Sequence, residues 1–100
     1  MSPRRDVPGI VYLIHFERSY VHAAHYMGWT EDLAARLACH QAGHGARLMA
    51  VIKTAGIGWT LAGTWPGTRA LERRLKNRGG HARICPICRQ QPQPTGGPLP

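Results

Sequence analysis

The fold that the chain predicts is a small α/β domain: a three-stranded sheet, made of an N-terminal antiparallel hairpin plus a third strand, flanked by three helices. Three observations carry this expectation. The run from Ile10 to Phe16 is continuously apolar and rich in β-branched and aromatic residues, as a buried central strand requires. A second strand-like run ending at Trp29 follows after only a short connection, which favours antiparallel return. Beyond it lie three segments of helical period, set apart by glycines.

In chain order, residues 1–8 contain Pro3, Arg4, Arg5, Asp6 and Pro8 and read as a flexible basic arm. Residues 9–88 form the domain. Glu17 to Tyr20 is expected to turn the chain, and Val21 to Trp29 to return it. In such a hairpin Tyr12 and Tyr26 can share one side of the sheet, directly or diagonally opposed. Thr30 is the expected N-cap of a first helix over residues 31–42, with Glu31 and Asp32 in its first turn and Gly43 stopping it. Leu33, Ala34, Leu37 and Ala38 make its apolar stripe, and Arg36 and His40, one turn apart, lie together at the stripe's edge. Gly43-His44-Gly45 breaks the chain before a second helix over residues 46–54, carrying Leu48, Met49, Val51 and Ile52. Residues 56–65 read as the third strand, opened by glycines. Pro66-Gly67 then starts a last helix, Thr68 to Arg78, with Leu71 and Leu75 inward and Gly79-Gly80 ending it. Residues 89–100, rich in Pro, Gln and Gly without apolar periodicity, read as a disordered tail.

Lys and Arg number 13 against 5 acids, a formal charge of +8, so a polyanionic partner is the natural expectation. The bland alternative is a merely basic surface. The densest positive segment is the last helix and its exit, with Arg69, Arg73, Arg74, Lys76 and Arg78, followed by Arg83 and Arg89; phosphate contacts without sequence readout are expected there. His44 and Arg47, beside two glycines, offer further contacts to a phosphate, although a plain helix-helix turn explains those glycines as well. No stretch approaches the roughly 18 apolar residues of a membrane span, and no signal-peptide core is visible, so a soluble, cytoplasmic protein is expected. Three cysteines are too few for a secreted disulfide framework.

Two sets of side chains offer chemistry. The first is Tyr12, Tyr26, Arg36, His40 and Glu72. Taken alone, the tyrosines are core aromatics, and Glu72 with Lys76, like Asp32 with Arg36, is an i, i+4 surface ion pair of about 0.3 to 0.5 kcal/mol. Glu72 is also the only acid after Asp32, which argues against a site bridged by several carboxylates. The second set is His81, Cys85 and Cys88, three metal-ligand types in a short loop. A structural zinc wants four ligands, so Cys39 or His44 would have to complete it; reduced thiols are the simpler expectation.

Tyr26-Met27-Gly28, followed by Arg36 and His40 and preceded by Gly9-Ile10-Val11-Tyr12 on the earlier strand, resembles the GIY-YIG nuclease family, with Met27 where isoleucine is usual. The resemblance covers about residues 9–78, and Glu72 fits the place of the family's later glutamate. It implies a single-domain endonuclease that hydrolyses DNA phosphodiester bonds with Mg²⁺ or Mn²⁺ and needs no small-molecule cofactor. Arg36 would hold the scissile phosphate, Glu72 one divalent cation, and Tyr12, Tyr26 and His40 would surround the attacking water, any of the three accepting its proton. RNA is the alternative substrate or partner. A catalytically silent nucleic-acid-binding module of the same fold, or a zinc-stabilised basic adaptor centred on residues 81–88, are the rival expectations. Oligomeric state is not written in the sequence.

Overall fold

The computed structural model of the chain describes residues 7–90. The basic arm and the tail read from the sequence therefore lie outside the described residues, except Val7, Pro8, Arg89 and Gln90. The elements run β1 (Gly9–Tyr20), β2 (Ala23–Thr30), α1 (Leu33–Gln41), α2 (Arg47–Thr54), β3 (Trp59–Gly67), α3 (Arg69–Arg78), α4 (His81–Ile84) and α5 (Pro86–Gln90). The sheet is antiparallel throughout, in the order β2-β1-β3. The apolar run of β1 is thus its central strand, as its lack of polar alternation requires.

Strand alternation sorts the side chains into two layers. Tyr12, Ile14 and Phe16 join Met49, Ile52 and Ile57 in one core, with Tyr26, Leu33 and Leu37 packed against it. Val11, Leu13, Met27 and Trp29 face the other way and form a second core with Cys85, covered by Leu71, Leu75, Ile84 and Ile87. Helices α1 and α2 therefore close the first face, and α3 to α5 the second. No helix of the described residues is long and apolar enough to cross a membrane.

Four expectations need correction. The hairpin does not turn at Glu17 to Tyr20: β1 continues to Tyr20, and Val21-His22 make the reversal, with Val21 at a φ of 57° and three-quarters exposed. A β-branched residue in the left-handed region is strained, and it hides a turn that Asn-Gly would have announced. Thr30 does not cap α1, because it ends β2 opposite Ile10 and is buried. Its hydroxyl instead accepts from the Asp32 amide at 3.0 Å, and the Asp32 carboxylate caps the helix by accepting from the Ala35 amide at 3.1 Å. That use of Asp32 replaces its expected pairing with Arg36. Pro66 and Gly67 belong to β3 rather than to the last helix; β3 is an edge strand, where proline's missing N–H costs no ladder bond. Finally, α4 and α5 raise the number of helices among the described residues to five.

The remaining elements form where the pattern placed them. Thr68 caps α3 by accepting from the Ala70 amide at 3.2 Å, and Gly79, at a φ of 66°, ends it. Met49 and Ile52 bury one face of α2 completely.

Candidate functional site

Register decides what the first face can assemble. Tyr12 lies opposite Gly28 and Ile14 opposite Tyr26, so the two tyrosines sit diagonally on the same face, with ring centroids 6.2 Å apart. Helix α1 lowers His40 onto them. The Tyr12 hydroxyl is 2.8 Å from His40 Nε2, and the His40 ring stands 5.4 Å from that of Tyr26. His40 is wholly buried and Tyr12 is 1 % exposed. The left-handed Gly45 gives the imidazole its room, because a Cβ there would stand 3.1 Å from His40 Nδ1. That ring nitrogen has no hydrogen-bond partner.

The electrostatics follow from burial. Desolvation pushes the Tyr12 phenol above the ordinary range, and Tyr26 and Glu72 add to this while the Arg36 charge opposes it. Burial likewise pulls His40 below the ordinary histidine value. The Arg36 charge acts in the same direction and the His44 backbone opposes it, although that backbone lies outside hydrogen-bond geometry. Tyr12 and His40 are therefore a neutral pair at neutral pH. Arg36 and Tyr26 are half-buried at the margin. Glu72, on the α3 turn whose Leu71 and Leu75 enter the second core, makes a 2.8 Å ion pair with Lys76, whose ammonium stands 6.0 Å from the Tyr26 ring centroid. Tyr12, Tyr26 and His40 thus pack together, and the charges of Arg36 and Glu72 reach the Tyr12 phenol.

The basic residues do not all share it. Arg73, Arg74, Lys76 and Arg78 are exposed on α3, whereas Arg47 stands exposed on α2, over the other layer. Arg69 is stacked over Trp29, its guanidinium carbon 4.7 Å from the ring centroid.

A second cluster lies on the opposite face. His15 and His25 are direct cross-strand partners, and the odd-numbered alternation that turns Val11 and Leu13 away from Tyr12 turns His15 away as well. The α4–α5 junction brings Cys85 and Cys88 onto them. His15 Nδ1 lies 3.5 Å from each sulfur, His25 Nε2 lies 3.4 Å from Cys88 Sγ, and the two histidine nitrogens are 3.4 Å apart. All four donor atoms fall within 4.8 Å of one another and can hold a metal ion. A nitrogen and sulfur set suits zinc; magnesium prefers oxygen. Burial, then His15 and His81, hold His25 below the ordinary histidine value, which favours its neutral, ligating form. Burial also raises the Cys88 thiol, as does Cys85.

This cluster corrects the ligand set expected from sequence. His81 is not among the four: its ring lies edge-on to His25 with centroids 6.3 Å apart, and its buried Nε2 has no partner. Cys39 and His44 are exposed on the α1 side and do not contribute. The sequence alone gives His15 and His25 no metal role, because Cys85 and Cys88 lie 60 or more positions further along; the only signal is that both imidazoles fall on one face of the hairpin once its register is fixed. No family model, curated protein or solved structure matches the chain.

Proposed function

We propose that the first face is the catalytic centre of a metal-dependent nuclease that hydrolyses phosphodiester bonds in DNA, as the GIY-YIG resemblance implies. The observation that carries this reading is the convergence of Arg36, Tyr26 and Glu72 around the Tyr12–His40 hydrogen bond of 2.8 Å. A purely structural tyrosine-histidine contact does not call for a guanidinium and a carboxylate beside it.

Arg36, half-buried and fixed on α1, would bind the scissile phosphate and hold the charge that grows on its oxygens. With Nε2 of the neutral His40 unprotonated, Tyr12 donates to it. A water placed at the Tyr12 oxygen can then pass its proton to that oxygen as Tyr12 hands its own to Nε2. The water oxygen bonds to phosphorus, the bond to the leaving oxygen breaks, and that oxygen takes its proton from solvent. Tyr26 orients the water at the margin. Glu72 is the carboxylate whose charge reaches Tyr12, an oxygen donor that fits a single hard cation alongside phosphate oxygens and waters. Bound there, Mg²⁺ or Mn²⁺ would neutralise phosphate charge during the displacement. Lys76 occupies the Glu72 carboxylate and would have to swing aside. The exposed cations of α3 would track the nucleic-acid backbone without reading bases.

A second reading has its own support. Tyr12 and His40 have almost no exposed surface and Glu72 already holds a partner, which suits a silent nucleic-acid-binding module of the same fold. Incubation with plasmid, single-stranded and branched DNA, with Mg²⁺, Mn²⁺ or chelator, separates the two. Glu72→Gln should keep or tighten DNA binding and reduce cleavage to background. Arg36→Ala should bind only modestly more weakly and lose on the order of 10²-fold or more in rate, similar to losing one oxyanion donor; Lys53→Ala, on a different helix and outside the motif, is the control. Metal-independent binding by all four proteins, with no cleavage of any substrate, would leave the silent module.

A further inference from the structure

We propose that His15, His25, Cys85 and Cys88 bind one zinc ion in a closed, structural site that fastens the C-terminal helices to the outer face of the sheet. The proposal is independent of the nuclease reading, since it rests on the opposite face.

Geometry is the first argument. With bonds of about 2.3 Å to sulfur and about 2.05 Å to nitrogen, tetrahedral zinc sets ligand edges of about 3.4 Å between nitrogens and about 3.6 Å between nitrogen and sulfur. The structure has 3.4 Å between the nitrogens, and 3.5, 3.5 and 3.4 Å for three nitrogen–sulfur edges. The remaining two edges, both at Cys85, close within 4.8 Å. Four atoms from three separate parts of the chain thus already outline the coordination shell of a single ion.

The donors themselves are the second argument. Two thiols and two imidazoles form a four-ligand set for a borderline-soft cation, and with four protein ligands no position is left for substrate, so the ion would be structural. The Cys88 amide donates to Cys85 Sγ at 3.5 Å, an arrangement that stabilises a thiolate. Cys85 has no exposed surface, so its sulfur is screened from solution oxidants.

Local stability is the third. Helices α4 and α5 have 4 and 5 residues, far below the length at which a helix persists unaided, and they follow two glycines of positive φ, Gly79 and Gly80. Ile84 and Ile87 supply some apolar contact. A metal joining the α4–α5 junction to both strands of the hairpin supplies the missing constraint, because its binding free energy becomes folding free energy.

The test is metal analysis of the full chain purified without a histidine tag, together with cobalt substitution. About one zinc per chain is expected, released by a thiol-modifying reagent, and the Co²⁺ form should show the intense visible bands of a tetrahedral site with thiolate charge transfer. Cys88→Ser and His25→Ala should each lose most of the zinc, whereas His81→Ala and Cys39→Ser should keep the wild-type content. Should a variant fail to fold, the cobalt spectrum of the wild-type protein still decides. Wild-type protein that carries no zinc and takes up neither ion on reconstitution would overturn the proposal, as would octahedral cobalt without thiolate bands, or zinc that follows Cys39 or His81.

Discussion

Gly28→Ala probes the tightest packing in the candidate site. Gly28 lies opposite Tyr12 on β2, and the phenol ring crosses directly over it. An added Cβ would overlap the Tyr12 hydroxyl and stand 2.6 Å from Cζ and 3.0 Å from Cε1, closer than real Cβ contacts come. An aromatic ring can escape such a clash by tilting, but this one is tethered by its 2.8 Å bond to His40 and sealed in the core. The substitution must therefore overpack the site, at about 1–3 kcal/mol, or break a buried hydrogen bond, at a similar cost, so about 2 kcal/mol is expected by either route. For a domain of this size that is a fall in Tm of roughly 8–16 °C. Tyr12→Phe removes both the nearest atom and the tether, leaving the ring free to tilt. In that background the cost of Gly28→Ala should fall by about 1 kcal/mol, a coupling within the range for residues in contact. Urea unfolding of the four proteins of this cycle, at one pH and one zinc concentration, gives the numbers directly. If Gly28→Ala lies within about 0.5 kcal/mol of wild type, the ring is not held where the hydrogen bond puts it. Strict additivity would show that His40 does not tether the phenol.

Three further outcomes follow from His40 and from the arginines of α3. Because burial depresses His40 in the folded state, the unfolded chain takes up a proton first as pH falls through about 6.5, so stability declines on acidification until the folded-state value is passed. His25 and His81 shift in the same sense, so His40's own share is read as the difference when His40→Gln is titrated in parallel: a slope shallower by up to about 1.4 kcal/mol per pH unit. An equal or steeper slope would contradict the buried, neutral imidazole. Arg69→Ala should cost about 0.5–1 kcal/mol through its stacking on Trp29, whereas Arg73→Ala and Arg74→Ala should stay within about 0.5 kcal/mol. On DNA, each exposed arginine removed from α3 should lower the slope of log affinity against log salt by about 1; an unchanged slope in Arg73→Ala and Arg74→Ala would take α3 out of the interface.

The sheet and its long helices were legible because their signals are local. Ile10 to Phe16 reads as a central strand from its unbroken apolar run, and the stop of α3 is written in Gly79, although its cap at Thr68 reads in the sequence as the first helical residue. The shared face of Tyr12 and Tyr26 also followed from strand alternation once an antiparallel hairpin was assumed. What escaped the sequence depended on register and on burial of a polar group. The turn at Val21-His22 carries no residue that favours a positive φ, so the longer reach of β1 was hidden. Thr30 is a good cap by composition, yet pairing with Ile10 takes it into the sheet and leaves Asp32 to cap. The metal cluster was half visible: Cys85 and Cys88 announce themselves at short spacing, while their partners lie 60 or more positions earlier, and the nearby His81 offered a local but incorrect choice.

The two clusters are joined by one property of the hairpin. Along β1 and β2 the side chains alternate between faces, so the same pairing that sets Tyr26 diagonal to Tyr12 also sets His25 directly opposite His15. A slip of one residue would turn both constellations inside out. The ladder between the strands is regular only from Ile10 to His15 and resumes at Tyr20 with Ala23, so the strained turn does not by itself fix the register of the regular part. The His15–His25 pair stands at the last regular rung. An ion held by that pair would lock this rung, and with it the placement of Tyr12 over Gly28 two rungs beyond Tyr26 on the opposite face. Metal on one side of the sheet would then hold the geometry on the other, and through Cys85 and Cys88 it would also restrain the chain leaving α3, the helix that carries Glu72.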